Sequence, residues 1–201
     1  MITYPHNPPA EPGPIRVTMR AHKVAAMNTS PFTFGQEVFA WDGERWALDA
    51  ALPPMREAEA EAWIAWRLAL RGVVGTFHFG DPMRATPRGT VTGAPVVDGG
   101  GQTGATLATR GWDGELLAGD NIQIGSGSSA RLYKVLADAA TDSDGEAALE
   151  IFPRLREGPA DGAPIVTSNP VGLFRMADND WSWDHEGAGI YGLSFRAVEA
   201  L

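Results

Sequence analysis

A mainly β fold carrying one amphipathic α-helix is what this sequence predicts, and three observations predict it. Glycine (24) and proline (15) make up about a fifth of the 201 residues. Most apolar runs are short and alternate with polar residues, the pattern of strands with one buried face. Only within 55–71 do apolar residues recur at helical spacing. An apolar content of 44% is ordinary for a globular chain, and the length suffices for one large β domain or two small ones.

Residues 1–14, MITYPHNPPAEPGP, read as an extended proline-stiffened arm with no apolar signal-peptide core. Such an arm is disordered alone or lies across a neighbouring subunit. A strand follows from Ile15, with Ile15, Val17 and Met19 on one face. Phe34 to Trp41, then Asp42-Gly43, then Arg45 to Asp49 reads as a hairpin, with Phe39 and Trp41 opposite Trp46 and Leu48. Leu52-Pro53-Pro54 opens the helix, with Pro in its first turn. Glu57, Glu59 and Glu61 suit the positive end of its dipole, Arg67 and Arg71 its last turn, and Gly72 its C′ position. Trp63, Trp66 and Leu70 form its core stripe. Val73–Phe79 is a further strand.

Glycine, threonine and proline then dominate 84–106, which reads as a boundary or exposed loop. Short strands are expected at Ala105–Thr109, Asn121–Ile124, Arg131–Ala137 and Ala147–Phe152, the spacing of a small barrel or sandwich. Longer strands resume at Val171–Met176, Trp181–Trp183 and Gly189–Val198. The predicted organisation is nested: an arm at 1–14, a β domain of 15–82 plus 171–201, and a small β-barrel module inserted at 83–170.

The formal charge is −9, and sixteen Lys and Arg residues are scattered without a run. No basic face is visible, so nucleic acid and anionic membranes are not the expected partners. The absence of cysteine removes disulfides, thiolate metal sites and cysteine nucleophiles. No apolar window has the length of a membrane span.

Motifs of chemistry are missing too. The Gly99–Gly104 stretch lacks the lysine and helix of a phosphate cradle. Asp142-x-Asp144-Gly145 begins like a calcium loop, but Pro153 stands where its last ligand belongs, so a turn is expected. His6, His22, His78 and His185 have no ligand spacing. Asp81, Asp120 and Glu150 have no reason to converge as an acid pair. Trp112, Trp181 and Trp183 are the candidate stacking platform for a sugar; ordinary strand burial is the competing account. Catalytic residues, metal sites and cofactors are not expected.

The order of features carries a resemblance. Strands and a hairpin precede a two-tryptophan helix, then Thr76-Phe-His-Phe-Gly-Asp-Pro82, an inserted β module and closing strands. Ser30 to Trp41, Leu107–Gly125 with Leu117-Ala-Gly-Asp120 inside it, Arg131-Leu-Tyr-Lys-Val135 and Ile151-Phe-Pro-Arg-Leu155 add to it. From residue 15 onward the chain resembles minor tail proteins of long-tailed bacteriophages, and more narrowly the distal tail proteins with a tail-tube-like β-sandwich. The resemblance implies a virion protein made in the host cytoplasm and placed at the tail tip. It further implies a hexameric ring between the tail tube protein and the baseplate hub proteins. DNA would pass through the lumen without specific binding, and a basic lining would retain it. A tail tube or tail-completion protein is the nearest alternative, and a carbohydrate-binding module using exposed tryptophans is an alternative of another class.

Overall fold

The computed structural model describes residues 2–187 and 189–201. The molecule is mainly β with one α-helix among the described residues. In chain order the elements are β1 (Arg16–Thr29), β2 (Gln36–Ala51), β3 (Met55–Arg56), α1 (Glu57–Ala69), β4 (Thr76–Phe79), β5 (Val91–Val97), β6 (Gly104–Leu116), β7 (Asn121–Ile124) and β8 (Arg131–Val135). There follow β9 (Ala139–Ala140), β10 (Ala147–Leu155), β11 (Ile165–Val166), β12 (Gly172–Met176), β13 (Asp184–His185), β14 (Ile190–Gly192) and β15 (Ser194–Glu199). None of the described helices is long and apolar enough to cross a membrane.

Strands from both ends of the chain build a five-stranded antiparallel sheet, ordered β1-β2-β15-β12-β4. Its core face alternates Trp46, Leu48 and Ala50 on β2, Phe195 and Ala197 on β15, Phe174 and Met176 on β12, and Phe77 and Phe79 on β4. The helix lies on that face because Trp63, Trp66 and Leu70 recur at its spacing, and all three are buried. Trp66 meets Phe77 edge-on at 5.1 Å and Phe195 at 5.5 Å between ring centroids. Such pairs contribute roughly 0.5–1.5 kcal/mol each beyond burial.

The helix is shorter than its predicted span. Met55–Arg56 pairs with β14, so the prolines precede a strand and not the first helical turn. The Glu59 carboxylate reaches back to the Arg56 amide at 3.3 Å, closing the N-terminus from inside. At the other end Arg71 (φ 52°) and Gly72 (φ 68°) are both left-handed, one residue earlier than the glycine alone would place the stop.

The strands between 91 and 166 make a second sheet, ordered β11-β7-β8-β10-β6-β5, with β9 on β6. Its ends nearly meet. Val96 bridges Pro164, the Val97 amide donates to Ala163 (2.9 Å) and the Gly162 amide to Val97 (3.0 Å), so the sheet is an almost closed barrel. Aliphatic side chains fill it, among them Val97, Leu107, Ile122, Val135, Leu149 and Ile151. Buried Asp120 accepts amides from Arg88 (2.7 Å), Gly89 (3.1 Å) and Leu117 (2.9 Å), closing one barrel corner.

Trp46 joins the two sheets. Its indole donates to the Leu132 carbonyl at 3.0 Å, and its ring stands edge-on to Phe152 at 4.9 Å. Buried Glu199 accepts from the Trp46 amide (3.0 Å) and Arg156 (2.8 Å). Burial pushes the Glu199 carboxyl above its ordinary value despite these partners.

The proline-rich arm lies on its own chain. The His6 amide donates to Thr76 (2.8 Å), the His78 amide donates to Asn7 Oδ1 (3.1 Å), and the Tyr4 hydroxyl donates to Ala69 (2.9 Å). The β4 edge is thereby covered, while β1 forms the opposite, open edge.

Candidate assembly surface

The hairpin expected at Asp42-Gly43 is elsewhere. β2 runs unbroken through Asp42-Gly43, and the turn lies at 30–35, between β1 and β2. Lys23 pairs with Glu44 and Ala25 with Ala40, so Trp41, Asp42 and Gly43 bulge opposite Val24. A Cβ on Gly43 would lie 2.7 Å from Val24 Cγ2, so a side chain there would require Val24 to move. The cross-strand partners of Trp46 and Leu48 are therefore Ala21 and Met19, and not Trp41 and Phe39.

The result is one long ribbon with two different halves. Near the sheet, Val17, Met19, Trp46 and Leu48 pack into the core. The barrel grips the ribbon at the bulge: Glu44 accepts from Lys23 (2.7 Å) and from the Arg154 amide (2.8 Å), and Arg154 pairs with Asp42. Burial works to raise the Glu44 carboxyl, but Lys23, the Arg154 amide and the Arg156 charge together hold it below its ordinary value.

Beyond the bulge every residue from Val24 to Gly43 is exposed except Ser30. Met27 and Val38 face each other on one side of the ribbon, Ala26 and Phe39 on the other. Trp41 is 53% exposed. The turn is well organised: the Phe34 amide donates to the Ser30 carbonyl and the Ser30 amide to Gly35, both at 2.9 Å. Ser30 Oγ accepts from the Phe32 and Thr33 amides at 3.4 and 3.3 Å. This turn holds Phe32 92% exposed and Phe34 79% exposed, the latter with a left-handed φ of 56°. A phenylalanine that is both strained and solvated points to a functional constraint.

The tryptophans proposed for ligand stacking part company. Trp112 is only 6% exposed, in the barrel core, with its indole donating to Thr109 Oγ1 at 2.6 Å. Its ring has no free face for a ligand, which removes it from the platform. Trp181 and Trp183 lie in irregular chain, not on a strand. Trp181 is half-buried against the aromatic core, donates to the Ser194 carbonyl (2.9 Å) and lies 5.5 Å beneath the Arg67 guanidinium. Trp183 is 42% exposed, but its ring leans on Trp181 at 5.3 Å. A groove of about 250 Å³ beside them is lined by Arg67, Asp178, Asp180, Trp181 and Arg196, and not by Trp183.

The other surprise is charge. The helix-free face of the five-stranded sheet carries Arg16 and Arg20 on β1, Arg45 on β2, Arg196 on β15 and Arg175 on β12. The expectation of no basic face is corrected, because antiparallel pairing gathers arginines separated by up to 180 residues. Among the described residues no three His, Asp or Glu side chains gather to hold a metal ion. No family model matches the chain, and no curated protein matches it.

Sequence reasoning missed the ribbon and the basic face. The signal for the ribbon was present: Val24 to Trp41 contains a single charge, Glu37, and a Ser-Pro…Gly turn at its middle. Alternation on the first strand puts Arg16 and Arg20 on one face, but nothing in one sequence brings Arg45, Arg175 and Arg196 beside them.

Proposed function

We propose that this chain is a structural subunit of a phage tail, a distal tail ring protein joining tail tube to baseplate hub, with a tail-tube-like β-sandwich as its first unit. The ribbon beyond the bulge carries the reading. An isolated two-stranded hairpin is marginally stable in water, and one with apolar side chains on both faces gains its stability from a partner. In a cyclic ring each ribbon lies on the next subunit, and every copy is covered when the ring closes. The sheet's unequal edges suit such a head-to-tail contact: the arm covers β4, and β1 is open over 14 residues. The barrel of residues 91–166 favours the baseplate end over a plain tube subunit, which has no use for a second unit.

Native mass spectrometry of the purified chain, alone and with candidate tail tube and hub proteins, tests this. Closed oligomers, a hexamer foremost, are expected from the wild type, and monomers from Phe32→Asp/Phe34→Asp with an unchanged circular dichroism spectrum. A wild type that stays monomeric in every mixture would overturn the reading. Titrating sugars against tryptophan fluorescence would then examine the carbohydrate-binding alternative, in which Trp183 is the only proposed platform ring that is exposed.

A further inference from the structure

We infer that the helix-free face of the five-stranded sheet binds the phosphate backbone of duplex DNA without sequence preference. The inference rests on how charge is distributed over the sheet and stands apart from the assembly reading. Five arginines share this face, Arg175 half-buried with its guanidinium donating to the Val73 carbonyl, against two carboxylates on the sheet itself: Asp49, which pairs with Arg20, and Glu37, out on the ribbon opposite Asn28. Arg196 pairs at the rim with Asp178 at 2.7 Å, and its side chain is still 67% exposed. Arg16 and Arg45 are exposed and make no ion pair among the described residues. On a chain of net charge −9 this is a segregated basic surface.

Its shape and chemistry select the ligand. Small or short side chains lie between the arginines: Thr18, Ala47, Ala51, Ser194 and Val198. They leave a shallow groove of about 400 Å³ lined by Arg16, Thr18, Arg20, Asp49, Ser194 and Arg196. Planar guanidinium forks match phosphate oxygens in pairs. Arg16 and Arg20 are separated by ~13 Å along β1 at the usual strand rise, so each can meet a different phosphate. No Phe, Tyr or Trp shares this face on 16–20, 47–51 or 194–198, and the single ring of His22, opposite Arg45, offers no continuous stacking platform, so a duplex is favoured over a single strand. The acidic surface of a second copy of the chain is the competing occupant, and the experiment separates the two.

Fluorescence anisotropy of a labelled duplex of mixed sequence, titrated with the intact chain, is the test. With about four phosphates neutralised, the binding constant falls roughly a hundredfold between about 50 and 200 mM salt. Arg16→Gln/Arg20→Gln/Arg196→Gln is expected to lower that log–log slope by about 2.7, at ~0.9 per lost phosphate contact. The matched triple Arg71→Gln/Arg84→Gln/Arg110→Gln, outside the sheet, is expected to leave it unchanged. These side chains are surface-placed, and identical urea midpoints confirm folding. Running the titration also on Phe32→Asp/Phe34→Asp separates DNA binding from assembly: retained binding there is expected. No binding by the wild type at low salt overturns the inference. So does an equal loss from both triples, or salt-sensitive self-association in place of DNA binding.

Discussion

The two halves of the β1–β2 ribbon have similar compositions and opposite environments. Near the sheet, Met19, Trp46 and Leu48 lie against the helix and its aromatic neighbours. Beyond the Gly43 bulge, Met27, Val38, Phe39 and Trp41 face solvent. Apolar alternation therefore reports that a strand has a face to bury, and says nothing about which molecule buries it. The bulge marks the change, since there the barrel's Arg154 holds the ribbon and the intramolecular contacts stop.

The largest effect that sharpens this contrast comes from truncating a tryptophan on each side. Trp46→Ala is expected to cost about 3–5 kcal/mol, because it empties the junction of both cores and frees the Leu132 carbonyl. Trp41→Ala is expected to change monomer stability by under about 0.5 kcal/mol while weakening assembly. Urea denaturation and sedimentation velocity on both variants read the two quantities separately. Equal destabilisation by both would erase the distinction between the halves.

A smaller effect concerns the barrel. Burial pushes the Tyr133 hydroxyl up to about 12. The native state then keeps a proton that the unfolded chain releases above pH ~10, so stability is full below that pH and falls as pH rises towards 12. The loss approaches about 2–3 kcal/mol at ~1.4 kcal/mol per unit. Tyr133→Phe is expected to remove this alkaline loss, measured as the urea midpoint against pH. A wild-type midpoint flat across that window would show the hydroxyl to be solvated.

The smallest effect lies at the bulge. The Glu44 carboxyl is held below its ordinary value, so its contribution is present above the unfolded carboxylate pKa and is lost as pH falls through the lower, folded one. Glu44→Gln is expected to flatten part of the acid-side decline in stability. It should also raise hydrogen exchange in the ribbon more than in the helix. An unaltered acid limb would show that Lys23 and Arg154 do not fix the ribbon.

The helix and the barrel strands were largely legible because their patterns are local. Trp63, Trp66 and Leu70 at helical spacing require one face, and the turns of 119–120, 125–129 and 142–145 separate strands near the expected places. Asp42-Gly43 misled because the dipeptide suits both a two-residue turn and a bulge, and only the register with β1 decides between them. Trp181 and Trp183 misled for a related reason. Alternation suggested a strand, but the segment finds its partners in Ser194 and Arg67 and makes no ladder.

By itself the sequence determined the β character, the single helix, its aromatic stripe and the lack of thiol chemistry, since each follows from composition or from periodicity within a few turns of chain. The tertiary structure decided the rest: where the ribbon turns, that the arm covers β4, that Trp112 is buried, and that five scattered arginines share a face. These depend on strand pairing between residues far apart in the chain, and in a sheet a one-residue change of register moves every side chain to the opposite face.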